Sequence, residues 1–239
     1  FKLQILMKIA LLGYGKMGKV IEKVALSRGH EIVLRKTSAN TFDGLETADV
    51  AIDFSIPDAA VSNISECLHT NVPIVSGTTG WLAEYDAMVA LCNENSGAFI
   101  YGSNFSLGVN IFFELNAYLA KMMSKFDQYK VTMEEIHHTQ KLDAPSGTAI
   151  TLAKDIIENS AYSSWTLDNA KEDEVFIDAK RIENVPGTHT VVYNSTVDAI
   201  EIKHTAHNRE GFALGSVIAA EWIVGKTGVF TMKDVLNLK

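Results

Sequence analysis

The chain has 239 residues with a formal net charge of −8 at pH 7; 47% of its residues are hydrophobic and 21% are charged. A chain of this length can bury the core of one large domain or of two modest ones. The acidic balance argues against a nucleic-acid surface, which needs clustered Lys and Arg, and no apolar run approaches the roughly 20 residues that span a membrane.

The start of the chain and its cysteines indicate the compartment. The opening FKLQIL is too short to be the apolar part of a signal peptide. We expect Met7 to be the natural start, with residues 1–6 a native extension or a cloning remnant. Cys67 and Cys92 stand in neither a CxxC nor a metal-binding spacing, which is typical of free thiols in a reducing cytosol. A cytoplasmic protein is therefore expected.

The first hundred residues alternate between short apolar runs and helical patterns. Strands are predicted at 7–12, 31–35, 49–55 and 98–106, a strand that ends in a small-residue loop at 72–80, and helices at 16–29, 57–70 and 81–95. Alternation of strands and helices with such short loops predicts a parallel, doubly wound sheet of the Rossmann type.

A glycine-rich loop, GYGKMG, follows the first predicted strand and opens the first predicted helix. The first glycine would make a tight turn, the second would let the backbone approach a pyrophosphate, and the third would allow close helix–strand packing. The motif in this context predicts dinucleotide binding, although a tight turn without a ligand is the alternative. The predicted contacts are Gly13, Tyr14, Gly15, Lys16, Met17 and Gly18.

The end of the second predicted strand bears on the choice of cofactor. NAD-binding domains usually place an acid there, about 20 residues after the glycine loop, to bind the ribose 2′-hydroxyl. This chain has Arg35, Lys36 and Thr37 instead. Two cations suit a 2′-phosphate, so NADPH is expected to bind at least as well as NADH. The alternative is that both cations are solvated surface side chains.

After Ser106 the pattern changes to that of a second, α+β domain with an open mixed sheet. Helices are predicted at 107–126 and 148–159, and alternating strands at 130–137, 175–182, 189–194 and 198–205. An apolar helix at 212–225 and the tail 229–238 are expected to return to the first domain. The predicted domains are thus 1–106 completed by 209–239, and 107–208.

The stretch EEIHHTQKLDAPSGTAIT carries the densest polar chemistry of the chain. His137 and His138 end a predicted strand, so their side chains should point to opposite faces and not act as paired metal ligands. A zinc site that includes His204 and His207 lacks thiolate or HExxH support. No metal site is predicted.

Pro145 and Ser146 mark the start of the following helix, with Ser146 near its cap. The N–H groups of Gly147 and Thr148, with the Thr148 hydroxyl, would form an anion site at the positive end of the helix dipole. Lys141, and His138 when protonated, would add charge, and the set fits carboxylate capture beside a general acid. The alternative is a well-capped helix after a polar loop.

The run EIHHTQKLDAPSGTA resembles the signature of 4-hydroxy-tetrahydrodipicolinate (dihydrodipicolinate) reductases of the lysine and diaminopimelate pathway. The resemblance extends to DFS at 53–55, GTTG at 77–80, SNFSLGVN at 103–110 and the C-terminal GKTG and MKDVL, and so covers nearly the whole chain from Met7. The chain departs from the family in its G-x-G-x-x-G loop, where many members have G-x-x-G-x-x-G, and in lacking the acid that members often use for NADH.

The resemblance implies a homotetrameric reductase that transfers hydride from NADPH or NADH to a cyclic, unsaturated dicarboxylate. By position, His137 and Lys141 would be the catalytic acids, and His138, Gly147 and Thr148 would hold substrate carboxylates. The nicotinamide would be lined by Gly77, Thr78, Thr79, Ser103, Asn104 and Phe105. Tetramers of the family usually form through the sheet of the second domain.

Two other classes of protein remain compatible with the sequence. One is an NAD(P)-dependent dehydrogenase of amino-acid metabolism that shares the nucleotide domain, which would not turn over the dipicolinate precursor. The other is a non-catalytic NADPH-sensing protein, which would bind cofactor but be indifferent to the loss of Lys141.

Overall fold

A computed structural model describes residues 6–238. Residues 1–5, which belong to the extension expected before Met7, and residue 239 lie outside the described residues. The chain divides into two compact units. Unit 1 comprises the residues up to Leu107 and those from Arg209 onward, and unit 2 comprises Gly108–Asn208.

Unit 1 is built on a six-stranded sheet with helices on both faces. Its strands are β1 (Lys8–Leu12), β2 (Glu31–Lys36), β3 (Val50–Asp53), β4 (Ile74–Ser76), β5 (Ala98–Tyr101) and β11 (Gly228–Phe230). Its helices are α1 (Lys16–Ser27), α2 (Pro57–His69), α3 (Tyr85–Glu94), α6 (Glu210–Ile223) and α7 (Met232–Leu236). Helix α4 (Leu107–Met123) begins at the last residue of this part of unit 1 and belongs otherwise to unit 2. All strand pairs are parallel, in the order β11-β5-β4-β3-β1-β2.

The apolar strands of unit 1 are uniformly buried because both faces of the sheet are covered. Successive side chains of β1 point to opposite faces. Ile9 and Leu11 pack in one core cluster with residues of α1 and α6, whereas Ala10 and Leu12 pack in another with residues of α2 and α3. This is the doubly wound arrangement that the strand–helix alternation predicts.

The C-terminal segment joins unit 1 through strand pairing and ion pairs. Strand β11 pairs in parallel with β5. On α6, the Glu221 carboxylate accepts two hydrogen bonds of 2.7 Å from Arg28 at the end of α1 and lies 2.8 Å from His30 Nε2. Burial by itself raises the pKa of Glu221, but the bonds from Arg28 and His30 outweigh it and the pKa is lowered.

Unit 2 is an open five-stranded mixed sheet. Its strands are β6 (Lys130–His137), β7 (Ser164–Thr166), β8 (Glu174–Arg181), β9 (Gly187–Asn194) and β10 (Ala199–Ala206), in the order β10-β9-β6-β8-β7. Strand β8 is parallel to β6 and β7, and β9 is antiparallel to β6 and β10. Helix α5 (Gly147–Glu158) lies between β6 and β7 along the chain.

One face of this sheet carries the core of unit 2. Inward-facing residues of β6, β8 and β9, such as Val131, Val175 and Val191, pack in one cluster with residues of α4 and α5. The opposite face carries Thr132, Glu134 and Lys180, and neither helix of the unit covers it.

The fold class predicted from the sequence is confirmed. Strand β6 occupies the predicted residues 130–137, and β4 (Ile74–Ser76) ends in the small-residue loop predicted within 72–80, but the predicted strand 98–106 shortens to Ala98–Tyr101. The residues beyond them form loops at the ends of the strands. The three-residue strand β7 was not predicted. Within residues 6–238, no helix combines the length and apolarity needed to cross a membrane.

Candidate active site

The glycine loop of unit 1 is shaped by two close backbone approaches. Gly13 has a φ of +96°, and a Cβ there would lie 2.3 Å from the carbonyl oxygen of Phe54. A Cβ on Gly18 would lie 2.3 Å from the carbonyl oxygen of Gly13. Around Gly15, by contrast, no atom lies within 4 Å of an added Cβ. The loop is therefore tight on its inner side and open where a ligand would approach.

The start of α1 offers backbone donors to an anion. The N–H groups of Gly13 and Tyr14 are occupied by the carbonyl of Lys36, at 3.1 Å each. No side chain among the described residues caps the helix, and its first internal bond runs from the N–H of Lys19 to Gly15. The preceding N–H groups thus have no acceptor within the helix, at the positive end of its dipole. This geometry fits a dinucleotide pyrophosphate.

A cavity of about 730 Å³ opens beside this loop. Of the predicted cofactor residues, the cavity is lined by Gly13, Tyr14, Gly15, Lys16, Met17, Lys36, Gly77, Thr78 and Thr79. Gly18, Arg35 and the stretch 103–105 are not among its lining residues. Phe105 is buried in the core of unit 1 and packs against Phe54, which does line the cavity.

The two predicted 2′-phosphate cations have different surroundings. The guanidinium of Arg35 is paired with Glu22, which also accepts a hydrogen bond from the Tyr14 hydroxyl. The hydrogen bond from Arg35, followed by that from Tyr14, lowers the pKa of Glu22. The ammonium of Lys36 lies 4.9 Å from the centre of the Phe42 ring and donates to the carbonyl of Thr37 at 2.7 Å. Of these two cations, only Lys36 lines the cavity.

A buried carboxylate that the sequence analysis did not single out as a site residue supports the floor of this cavity. Asp53, at the end of β3, is fully buried and accepts hydrogen bonds from Ser55, Asn63, Ser76 and Thr78 at 2.6–2.8 Å. Burial raises the pKa of Asp53, and the four bonds oppose that rise. The carboxylate therefore ties β4 and α2 to the loop after β3.

This arrangement also defines what Thr78 can offer a ligand. Its hydroxyl donates to Asp53 and accepts the N–H of Ser55 at 2.8 Å. The Thr78 hydroxyl is therefore already engaged by Asp53 and Ser55.

In unit 2, the two adjacent histidines lie at the end of β6, with His137 its last residue and His138 the first after it, and they have different surroundings. His137 is buried on the core side of the strand, and its ring lies 5.1 Å from that of His189 on β9. His138 is half-buried, and its buried Nδ1 has no hydrogen-bond partner among residues 6–238.

Glu135 lies two residues before His137 on the same face, and its side chain is fully buried. Its carboxylate accepts the N–H of Ser146 at 3.1 Å and one bond from Arg181 at 3.2 Å, and lies 3.3 Å from His137 Nδ1 and 3.7 Å from His189 Nε2. Burial alone would raise the pKa of Glu135, but its interactions with His137, His189 and Ser146 outweigh burial and lower the pKa strongly.

The loop between β6 and α5 carries Lys141. Its ammonium donates two hydrogen bonds, of 2.7 and 2.8 Å, to the Asp143 carboxylate, and these lower the pKa of Asp143. The loop backbone is held by Arg181, which donates to the carbonyls of Lys141 and Asp143. Lys141 therefore projects from a loop whose path is set by contacts with β8.

The start of α5 leaves two backbone donors open. Ser146 is the N-cap, and its hydroxyl accepts the N–H of Ala149 at 3.2 Å while its own N–H is held by Glu135. The N–H groups of Gly147 and Thr148 have no partner among residues 6–238. A Cβ on Gly147 would meet no atom within 4 Å, so the space before these donors is open.

Glu135, His137 and His189 offer ligand atoms within 4.8 Å of one another, which is close enough for a metal ion. The guanidinium of Arg181, however, contacts the same carboxylate at 3.2 Å. Because this fixed positive charge would repel a divalent cation, the arrangement fits an ion-pair network around Glu135 better than a metal site.

Glu135, Arg181, His189 and Asp53 were not predicted as site residues. The sequence does contain a signal for Glu135: the alternation of side chains along β6 places it on the same face as the apolar Val131 and Met133. A charged residue at a core-facing position needs a partner. The partners themselves depend on the sheet register, which places His189 opposite Glu135 and Arg181 beside His137.

A doubly wound sheet whose first strand leads through a glycine loop into a helix without a side-chain cap is typical of the nucleotide-binding domain of Rossmann-type oxidoreductases. Residues 7–105 match the family model described as dihydrodipicolinate reductase, N-terminus, and residues 108–236 match that described as dihydrodipicolinate reductase, C-terminus. The chain belongs to the dihydrodipicolinate reductase family.

Known relatives agree with this assignment. The chain is 57% identical over 238 residues to the 4-hydroxy-tetrahydrodipicolinate reductase of Christiangramia forsetii, covering 97% of this chain and 98% of that protein. It is 36% identical to the reductase of the same name from Thermosipho africanus, again covering 97% and 98%. The chain is therefore an oxidoreductase.

Among solved structures, the dipicolinate-bound dihydrodipicolinate reductase from Paenisporosarcina sp. TG-14 has a similar fold. The TM-score is 0.76 at 22% sequence identity, covering 98% of this chain and all of that one. A probable dehydrogenase from Thermotoga maritima is more distant, with a TM-score of 0.55 and 10% identity over 95% of this chain and 92% of that one.

Proposed function

We propose that this protein reduces 4-hydroxy-tetrahydrodipicolinate to tetrahydrodipicolinate with NADPH or NADH, as a cytoplasmic enzyme of lysine and diaminopimelate biosynthesis. The observation that carries the proposal is the grouping in unit 2 of a buried His137, the Lys141 loop and two open N–H groups at the start of α5. Two high-coverage relatives bear the name of this reductase. Both cysteines are free and buried, as in a reducing compartment.

The proposed reaction removes water from the substrate and adds a hydride and a proton. A reduced nicotinamide, bound over the glycine loop with its reactive end toward residues 77–79, would supply the hydride. Lys141 is the proposed proton donor, with His137 as its partner acid. An ammonium carried by a held loop suits this role because its proton can be delivered at a defined position.

The two carboxylates of the substrate define the remaining roles. The open N–H groups of Gly147 and Thr148, the Thr148 hydroxyl and the unpartnered nitrogen of His138 are the proposed carboxylate ligands. In an acidic protein, a dianion requires such local donors and cations.

The test is a coupled assay in which dihydrodipicolinate synthase makes the substrate in situ and oxidation of the reduced nicotinamide is followed by absorbance. Steady oxidation that depends on the synthase is the expected result. Cofactor binding without turnover would refute the proposal and favour an NADPH-sensing protein, whereas turnover only with other amino-acid substrates would favour a different dehydrogenase.

Lys36 is expected to set the cofactor preference because it lines the cavity while Arg35 is paired with Glu22. NADPH should bind at least as tightly as NADH at low ionic strength, and the difference should narrow as salt screens the charge. Lys36→Ala should weaken NADPH binding by about tenfold, as for a lost bond to a charged group, and leave NADH nearly unaffected. Arg35→Ala should have the smaller effect, and the double variant should erase the preference.

Dissociation constants from calorimetry at two salt concentrations check this prediction. Lys19→Ala is the matched control, since Lys19 is an exposed cation of α1 that does not line the cavity. A clear preference for NADH in the unsubstituted protein would show that Lys36 and Arg35 serve only as surface cations.

Thr148→Val keeps the shape of the side chain but removes a hydroxyl aimed at a substrate carboxylate. Substrate binding should weaken by about 1–3 kcal/mol, seen as a higher KM, with cofactor binding unchanged. Thr151→Val is the control, because the Thr151 hydroxyl bonds to the Gly147 carbonyl within the helix. Pyridine-2,6-dicarboxylate should compete with substrate. An unchanged KM would place the carboxylates elsewhere.

A homotetramer formed through the sheet of unit 2 is part of the proposal. It is supported by the sheet face that α4 and α5 leave uncovered, which carries the paired Glu134 and Lys180 beside half-buried Phe176 and Val192. Light scattering that gives the mass of a single chain would contradict it.

A further inference from the structure

We infer that Glu135 is the positioning residue of the unit 2 site: one buried carboxylate that holds His137, the Lys141 loop and the start of α5 in their mutual geometry. This inference rests on the proposed function, to which it adds a residue that does not itself touch the substrate. It follows from three separate contacts of the Glu135 side chain.

The first contact acts on the substrate-binding end of α5. The N–H of Ser146 lies 3.1 Å from both carboxylate oxygens of Glu135. Because Ser146 is the N-cap, this contact sets where the helix begins and therefore where the open N–H groups of Gly147 and Thr148 point. The Ser146 hydroxyl is held in turn by His189 Nε2, at 3.1 Å.

The second contact acts on the loop that carries Lys141. Arg181 spans the gap between Glu135 and that loop, with one nitrogen 3.2 Å from the carboxylate and its guanidinium donating to the carbonyls of Lys141 and Asp143. The planar fork of an arginine can make these bonds at once, which a lysine ammonium on its flexible stem cannot do in the same geometry. Glu135 thus fixes the loop through Arg181.

The third contact acts on His137, whose Nδ1 lies 3.3 Å from the carboxylate, within ion-pair distance but without hydrogen-bond geometry. A carboxylate beside one ring nitrogen orients the imidazole and leaves the other nitrogen for chemistry. The central place of β6 in the sheet explains why one residue reaches all three targets. Its neighbours β8 and β9 bring Arg181 and His189 to either side of Glu135.

Glu135→Gln tests the inference because it keeps the volume but removes the negative charge that pairs with Arg181 and leaves one acceptor oxygen in place of two. We expect kcat to fall by about 100-fold, the loss typical of a misplacement near 1 Å. KM should rise far less, and the dissociation constant of NADPH should stay the same. Hydrogen exchange of the amides in 139–145 should quicken by about tenfold or more as the loop loosens.

The control is Glu158→Gln, which removes an exposed carboxylate at the other end of α5 and should change none of these values. Arg181→Lys, which keeps the charge but loses the fork, provides a second variant if Glu135→Gln does not fold. It should also quicken exchange in 139–145 and lower kcat, by about tenfold.

Turnover by folded Glu135→Gln or Arg181→Lys within threefold of the unsubstituted protein, or unchanged exchange in 139–145, would overturn the inference. Failure of the proposed function looks different. The unsubstituted protein would then not turn over the substrate, while the exchange measurement would still decide whether Glu135 holds the loop.

Discussion

Lys141→Ala is expected to lower turnover by about 10²–10⁴, the range that a positioned general acid contributes. The substitution also removes the positive charge nearest the proposed carboxylate site. Stability should change little, because the side-chain ion pair with Asp143 is partly exposed and exposed pairs contribute at most about 1 kcal/mol. NADPH binding should be unaffected, since Lys141 belongs to unit 2 and the glycine loop to unit 1. Steady-state kinetics and thermal denaturation measure these quantities.

Two further variants test whether the loss of turnover is specific to Lys141 and its proposed partner acid. Lys154→Ala removes an exposed lysine from α5 and should leave turnover unchanged, which separates the role of Lys141 from a general change in charge. His137→Ala should resemble Lys141→Ala in its loss of turnover. Near-normal turnover in both the Lys141 and His137 variants would show that the catalytic element lies elsewhere.

Gly15→Ala and Gly18→Ala are expected to separate cofactor binding from stability. A Cβ on Gly15 meets open space, and its φ of −90° strains no side chain, so this variant should fold as stably as the unsubstituted protein. Its methyl group would stand in the path of the pyrophosphate, and NADPH should bind about 10–100-fold more weakly, as when bonds of about 1.5–3 kcal/mol to a charged group are lost.

Gly18→Ala should lose stability as well as binding. Its Cβ would lie 2.3 Å from the carbonyl oxygen of Gly13, which is backbone and cannot swing away. Forcing the helix and the loop apart should cost about 1–3 kcal/mol, the range for an overpacked site. Fluorescence titration with NADPH and thermal denaturation distinguish the two variants. Unchanged binding by Gly15→Ala would mean that the pyrophosphate does not pass over Gly15, and an unchanged melting temperature for Gly18→Ala would contradict the close approach.

The local pattern of apolar and polar residues predicted the helices and strands better than it predicted where they end. The predicted strand 98–106 runs through Gly102, Ser103 and Asn104 to Ser106, yet the strand stops at Tyr101 and Phe105 is buried in a loop. Burial alone therefore does not identify a strand, because a loop can also place a large side chain in the core. For β6 the predicted boundaries are those observed, although the alternation of apolar and polar residues is broken at Glu135 within the strand.

The partners of individual charged side chains could not be predicted from their positions along the chain. Arg35 ends a strand where a 2′-phosphate contact is expected, but its guanidinium is paired with Glu22, 13 residues earlier on α1. Lys36, the next residue, lines the cavity. Alternation places neighbouring side chains on opposite sides of a strand, but it does not say which side holds a competing carboxylate.

The sequence by itself determined the doubly wound unit, the glycine loop, the cap at Ser146 and the open donors of Gly147 and Thr148, because each depends on residues within a few positions of one another. Only the tertiary structure decided the network that holds them. Glu135 contacts Ser146, which follows it by 11 residues, and Arg181, which follows it by 46 residues. These contacts depend on which strands flank β6 and on the register in which they pair with it. Register is a long-range property set by the packing of the whole sheet, so local periodicity cannot reveal it.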